Sequence, residues 1–158
     1  MNQVVVKQEK SGYQIVEAYK SLRTNLQFCG EDKKVIAVTS CPPNEGKSSV
    51  SMQLGISLAE SGKRVILIDA DLRKSVLLGR TKTQKSVRGL AHFLSGQATL
   101  EDVICSTNVK NFYMIYSGPF PPNPAELLGG KNFRSLLNAL RKVYDYVIVD
   151  TPPLGSVI

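Results

Sequence analysis

The chain has 158 residues, 42% of them apolar and 7% aromatic, with a formal net charge of +7. Those are the size and composition of one ordinary soluble globular domain, expected to span 1–158. No apolar run approaches the roughly 20 residues that cross a bilayer, and "MNQVVVKQEK" carries charge where a signal peptide needs its apolar stretch, so a cytoplasmic protein is expected.

After that polar start, "YQIVEAYKSLRTNLQF" sets Ile15, Tyr19, Leu22 and Leu26 at helical spacing and predicts a helix over about 13–28. "KVIAVTS" is a short β-branched run that reads as a strand, and "CPPNEGKSSVS" follows it directly. From Gly46 the pattern turns helical, with Val50, Leu54 and Leu58 on one stripe and a stop near Gly62. "KRVILIDAD" is a second buried strand, and a loop-and-helix region covers roughly 72–105. Within it, residues 73–88 hold six basic side chains and no acidic one. Such a segment suits an anionic leaflet, an acidic partner or plain solvent. It lacks the interleaved aromatics of single-strand binders, so no nucleic acid is expected. "NFYMIYSG" reads as a third strand, "NPAELLGGKNFRSLLNALRKV" as a helix opened by Pro124 after Asn123, and "YDYVIVDTPP" as a fourth strand.

Short apolar strands alternating with helices predict an α/β fold, a P-loop NTPase-type, mainly parallel sheet with helices on both faces. Ligands of such sheets bind at the carboxyl ends of the strands. The polar residues gather there: Asn44, Glu45, Gly46, Lys47, Ser48 and Ser49 after the first strand, Asp69 and Asp71 after the second, and Asp150 after the fourth.

A tight loop leading into a helix at Gly46 aims backbone N–H groups and the positive end of the helix at one spot, which suits a phosphate. Lys47 then reaches the β- and γ-phosphates, Ser48 ligates Mg²⁺, and Ser49 adds a hydrogen bond. The usual pattern, G-x-x-x-x-G-K-[ST], has its first glycine five residues before Gly46, and Cys41 stands in its place. Asn44 tolerates the left-handed region, and Pro42 and Pro43 pre-shape the turn. Asp69 and Asp71, two apart after a strand, can share a metal-bound phosphate, and Asp150 stands where P-loop enzymes keep an Mg²⁺-holding acid. Each aspartate taken singly has a plainer reading as a helix or turn cap; the set of them with Gly46-Lys47-Ser48 favours a nucleotide site. Cys29, Cys41 and Cys105 are odd in number and far apart, so neither zinc nor a disulfide framework is expected.

"VILIDADLR" and "VIVDTPP", with "EAYKSLRTNLQF", "FLSGQATLEDVI" and "SGPFPPNPAELL", resemble the bacterial tyrosine kinases, the P-loop kinases of capsule and exopolysaccharide synthesis. The resemblance covers about residues 13–155 and implies transfer of the γ-phosphate of MgATP to tyrosines of a neighbouring subunit. It assigns Lys47 and Asp71 to catalysis with Asp69 as the proton acceptor, metal binding being its alternative role, and the metal to Ser48, Asp71 and Asp150. It makes 13–28 an oligomerisation helix and 33–158 a nucleotide-binding core. The family's ring-building pattern E-x-x-R-x-x-R stands here as Glu17, Lys20 and Arg23, with lysine in the middle place. The expected partners are a homo-oligomeric ring, tyrosine-bearing protein substrates, and the cytoplasmic tail of a membrane activator that recruits the protein to the inner face of the membrane. The family continues past "DTPP" with further strands and a tyrosine cluster, so the resemblance implies a core incomplete at its C-terminus.

Two other readings stand beside this one. A partitioning-type ATPase has a signature lysine one residue after the first glycine position, which is Pro42 here. A catalytically incomplete P-loop scaffold would keep the surfaces without the transfer.

Overall fold

The computed structural model describes residues 1–8, 12–40, 46–72, 81–83 and 87–152. Strands β1 (Asn2–Val6), β2 (Val35–Val38), β3 (Val65–Asp69), β4 (Thr81–Thr83), β5 (Cys105–Thr107), β6 (Phe112–Ile115) and β7 (Tyr146–Asp150) form one sheet in the order β2-β7-β3-β6-β5-β1-β4. Pairings β2–β7, β7–β3 and β3–β6 are parallel, β6–β5 is antiparallel, β5–β1 is parallel and β1–β4 is antiparallel. The helices are α1 (Tyr13–Phe28), α2 (Lys47–Glu60), α3 (Leu90–Leu94), α4 (Leu100–Val103), α5 (Pro124–Gly129) and α6 (Lys131–Arg141).

Strands β3 and β7 are buried at every position, as expected of parallel strands covered on both faces. Their side chains alternate between two cores. Val65, Leu67, Tyr146 and Ile148 pack with Met52, Leu54 and Leu58 of α2, whereas Ile66, Ile68, Val147 and Val149 pack with Leu136 and Leu140 of α6 and Leu90 and Leu94 of α3. The same period of two carries Asp69 and Asp150, the last residues of β3 and β7, toward the α2 face.

α2 lies close against the sheet because Gly55 has no side chain: a Cβ there would meet the Phe112 ring at 2.5 Å. Its C-terminus closes in a Schellman motif, with Gly62 at φ 91° and N–H bonds from Gly62 to the Ala59 carbonyl and from Lys63 to the Leu58 carbonyl. A second glycine contact joins α3 to the loop after β6. Leu90 and Ala91 amides donate to the Tyr116 and Ser117 carbonyls, and a Cβ on Gly89 would stand 2.3 Å from the Gly118 nitrogen.

Three expectations change in detail. The N-terminal residues form β1, an added strand rather than a polar lead. The long helix expected over 123–143 is two helices divided at Gly129-Gly130. Val50, expected on the apolar stripe of α2, is 38% exposed, and Met52, Leu54 and Leu58 make the buried face instead. Most of the basic segment 73–88 lies outside the described residues; Arg88 donates to the Gln97 carbonyl.

Candidate nucleotide site

The strand order builds the site. β7 lies between β2 and β3, so Asp150 at its end sits beside Asp69, its register partner on β3. The Ala70 amide donates to the Asp150 carbonyl at 2.9 Å, and Thr151 bonds the Val38 carbonyl of β2 through both its amide and its hydroxyl. Three strand ends are thereby fixed at one edge of the sheet.

α2 enters that edge through Gly46, which holds φ 78° and ψ 17°. This left-handed conformation is one that only glycine adopts without cost. α2 has no side-chain cap at its N-terminus and no acidic residue in its first turn, leaving the first amides to serve a ligand. Lys47 Nζ lies 2.5 Å from Asp150 Oδ1, and the Ser48 hydroxyl donates to Asp150 Oδ2 at 2.9 Å. Both partners of the ion pair are nearly sealed from solvent, with 7% of the Lys47 side chain and 1% of the Asp150 side chain exposed. Asp69 and Asp71 are also buried, and the Asp71 amide donates to Asp69 Oδ1 at 3.2 Å.

Of the residues that the sequence nominates, Lys47, Ser48 and Asp150 are in direct contact, Asp69 is Asp150's neighbour across the β3–β7 pair, and Asp71 touches Asp69 through its backbone. Ser49 is half-buried on the first turn of α2. Cys41, Asn44 and Glu45 lie outside the described residues. Glu17, Lys20 and Arg23 make separate contacts within the chain. Lys20 pairs with Glu17 at 3.2 Å on the surface, whereas Arg23 turns inward and donates to the Ser57 carbonyl of α2 at 2.9 Å.

Sequence reasoning missed Ser51. Its hydroxyl lies 3.0 Å from Asp150 Oδ1 and 3.1 Å from the Lys47 carbonyl, and the residue is fully buried. Position 51 is four residues after Lys47, on the same face of the helix, but that spacing does not by itself name Asp150 as its partner.

Among the described residues no three His, Cys, Asp or Glu side chains gather to hold a metal by themselves. Mg²⁺ needs less, because it keeps waters and takes one or two carboxylates beside substrate phosphates. The Ser48 hydroxyl and the Asp150, Asp69 and Asp71 carboxylates are the hard oxygen donors it prefers, so the set fits. Away from the site, burial pushes the Cys105 thiol up to about 11, which leaves it protonated and inert. The tyrosines are mostly structural: Tyr116, Tyr144 and Tyr146 are buried, Tyr113 stacks edge-on against Tyr144 with Arg64 over both rings, and Tyr13 is 79% exposed.

A parallel sheet with a glycine turn, a lysine and a serine opening a helix against a strand-end aspartate defines a P-loop nucleotide-binding domain. The sequence profile of the AAA domain family matches residues 33–158. The tyrosine-protein kinase CpsD of Streptococcus agalactiae is 44% identical over 142 residues, which is 90% of this chain and 62% of that protein. Among solved structures, the BceF tyrosine kinase domain superposes with a TM-score of 0.80 at 42% identity, over 90% of this chain and 57% of that one. The septum site-determining protein MinD of Pyrococcus horikoshii, solved with Mg-ADP, superposes less well, with a TM-score of 0.63 at 27% identity over 76% of this chain and 49% of that one. The chain belongs to the AAA domain family and groups there with the bacterial tyrosine kinases. It spans about three fifths of the length of the curated relatives it matches and, among the described residues, has no helix long and apolar enough to cross a membrane.

Proposed function

We propose that this chain is the nucleotide-binding and catalytic part of a protein-tyrosine kinase that regulates capsular or exopolysaccharide synthesis. The observation that carries the reading is the convergence of Lys47 and Ser48 of α2 on Asp150, beside Asp69 on the next strand. Phosphoryl transfer asks the protein mostly for positioning and charge neutralisation, and this arrangement supplies both.

When bound, MgATP supplies the transferred phosphoryl group and the metal charge that offsets it. Gly46, Ser49 and the first amides of α2 would cradle the phosphates, and the sequence pattern alone assigns Asn44 and Glu45 to nucleotide binding. Lys47 neutralises phosphate charge, and Ser48, Asp71 and Asp150 offer oxygens to the metal. Asp69 takes the proton from the incoming tyrosine hydroxyl. Lys47, paired here with Asp150, would exchange that anion for phosphate when nucleotide binds.

The acceptor tyrosines belong to a neighbouring subunit, held in a ring through the outer face of α1. That face exposes Tyr13 and Phe28, with the Glu17–Lys20 pair between them, while Ile15, Val16 and Leu22 are exposed on the side nearer α2. Arg23 contributes there by fixing α1 on α2. The cytoplasmic tail of a membrane protein serves as activator and brings the kinase to the inner membrane face.

Calorimetry of MgATP binding to this chain and to Lys47→Met tests the reading. Specific binding that the variant loses supports it, and phosphate transfer to a tyrosine-bearing tail peptide is then the next assay. A folded wild-type chain without binding would falsify the enzyme reading and leave a P-loop scaffold.

A further inference from the structure

We infer that Ser51 is a positioning residue for Asp150, holding one carboxylate oxygen in place while the other is free to serve the metal. The inference rests on the nucleotide reading above and adds a residue that it does not use.

Among the described residues three side chains donate to Asp150, all from the first turns of α2. Oδ1 receives Lys47 and Ser51, and Oδ2 receives Ser48. Two of the three have other work once nucleotide is present: Lys47 goes to phosphate and Ser48 to the metal. Ser51 lies one turn deeper and is fully buried, so no ligand competes for it. It alone can hold Oδ1 throughout, which leaves Oδ2 pointing toward Ser48 and the phosphate side.

A serine inside a helix often just bonds the carbonyl four residues back, and Ser51 does lie 3.1 Å from the Lys47 carbonyl. A hydroxyl has one proton, however, and Asp150 Oδ1 is at 3.0 Å with a full share of negative charge. Bonds to ionised acceptors are the stronger ones. The Lys47 carbonyl is the fallback acceptor, which lets the hydroxyl turn without ever being left unbonded.

The test compares wild type, Ser51→Ala, Asp150→Asn and the double variant. Affinity for a fluorescent ADP is measured in EDTA and in Mg²⁺, and urea unfolding is measured without nucleotide. Ser51→Ala is expected to bind as wild type in EDTA and to lose about five-fold of the Mg²⁺-dependent gain, the worth of one hydrogen bond. That loss should vanish in the Asp150→Asn background, and the two substitutions should be non-additive in nucleotide-free unfolding. An unchanged Mg²⁺ gain in Ser51→Ala overturns the assignment while leaving the nucleotide site standing. Equal losses with and without Mg²⁺, additive unfolding energies, or failure of Ser51→Ala to fold overturn it by making Ser51 a packing residue. A wild-type chain with no Mg²⁺-dependent gain overturns the nucleotide reading itself, and this assignment with it.

Discussion

Helices α1 and α2 lie side by side and are of similar length, yet α2 buries ten residues and α1 buries none. The difference follows from their places in the layers. α2 is covered by the sheet on one side and by α1 on the other, whereas α1 has a neighbour on one side only. Tyr19 and Leu26 of α1 reach the core, and Arg23 ties the helix down at the Ser57 carbonyl. Its remaining apolar residues are exposed, Ile15 and Val16 along the groove against α2. α2 therefore belongs to the core of the chain, whereas α1 keeps most of its surface exposed. Neither helix has a side-chain cap at its start, because a glycine, Gly12 in α1 and Gly46 in α2, occupies the cap position. Of the two only Gly46 is left-handed, with φ 78°.

The contrast can be broken most directly by truncating one leucine in each helix. Leu58→Ala in α2, at 0% exposure, should cost about 2–5 kcal/mol in urea unfolding. Leu22→Ala in α1, at 38% exposure, should stay within roughly 0.5 kcal/mol. Equal losses would mean that α1 is part of the core after all.

Gly55→Ala comes next. Its Cβ cannot share space with Phe112, so α2 must lift from β6, at an expected cost of about 1–3 kcal/mol. A neutral result would show that the Phe112 ring turns away freely.

Arg23→Ala removes the bond to Ser57 and should cost about 1 kcal/mol. Amide exchange should speed up in α1 and remain unchanged in α2. Uniform acceleration would show that the two helices open together.

The smallest effect sharpens the point about caps. α4 has the reciprocal cap that α1 and α2 lack, with Thr99 and Asp102 exchanging backbone and side-chain bonds. The Thr99 amide holds the Asp102 carboxyl below its ordinary value of 3.8. A depressed folded-state value means that the cap's contribution is complete above the unfolded value and is lost as pH falls through the folded one. Asp102→Asn should therefore flatten a small part of the acid-side slope of stability below about pH 4. An unchanged slope would show that the cap opens in solution.

Much of this was legible in the residues. β3 and β7 declare themselves because strands buried on both faces are apolar at every position, and their terminal aspartates stand out against that background. β1 was not legible, since "NQVVV" carries polar neighbours and becomes a strand only through pairing with β5, about a hundred residues away. β5 itself is three residues long and two of them are polar. The break between α5 and α6 was written in Gly129-Gly130 but hidden by the helical spacing on both sides. At the site, Lys47, Ser48 and Asp150 belong to a recognisable spacing, whereas Ser51 gains its meaning only when β7 is placed beneath the helix.

The meeting of Gly89 and Gly118 also sets limits on how the sequence can drift. Two backbones touch where any Cβ would have to overlap main-chain atoms rather than a movable side chain. In a library of single substitutions Gly89 should accept no other residue, while the exposed positions of α6 accept most. Lineages carrying this loop can vary Pro119, Pro122 and Phe120, which are exposed, yet must inherit the Gly89–Gly118 contact unchanged.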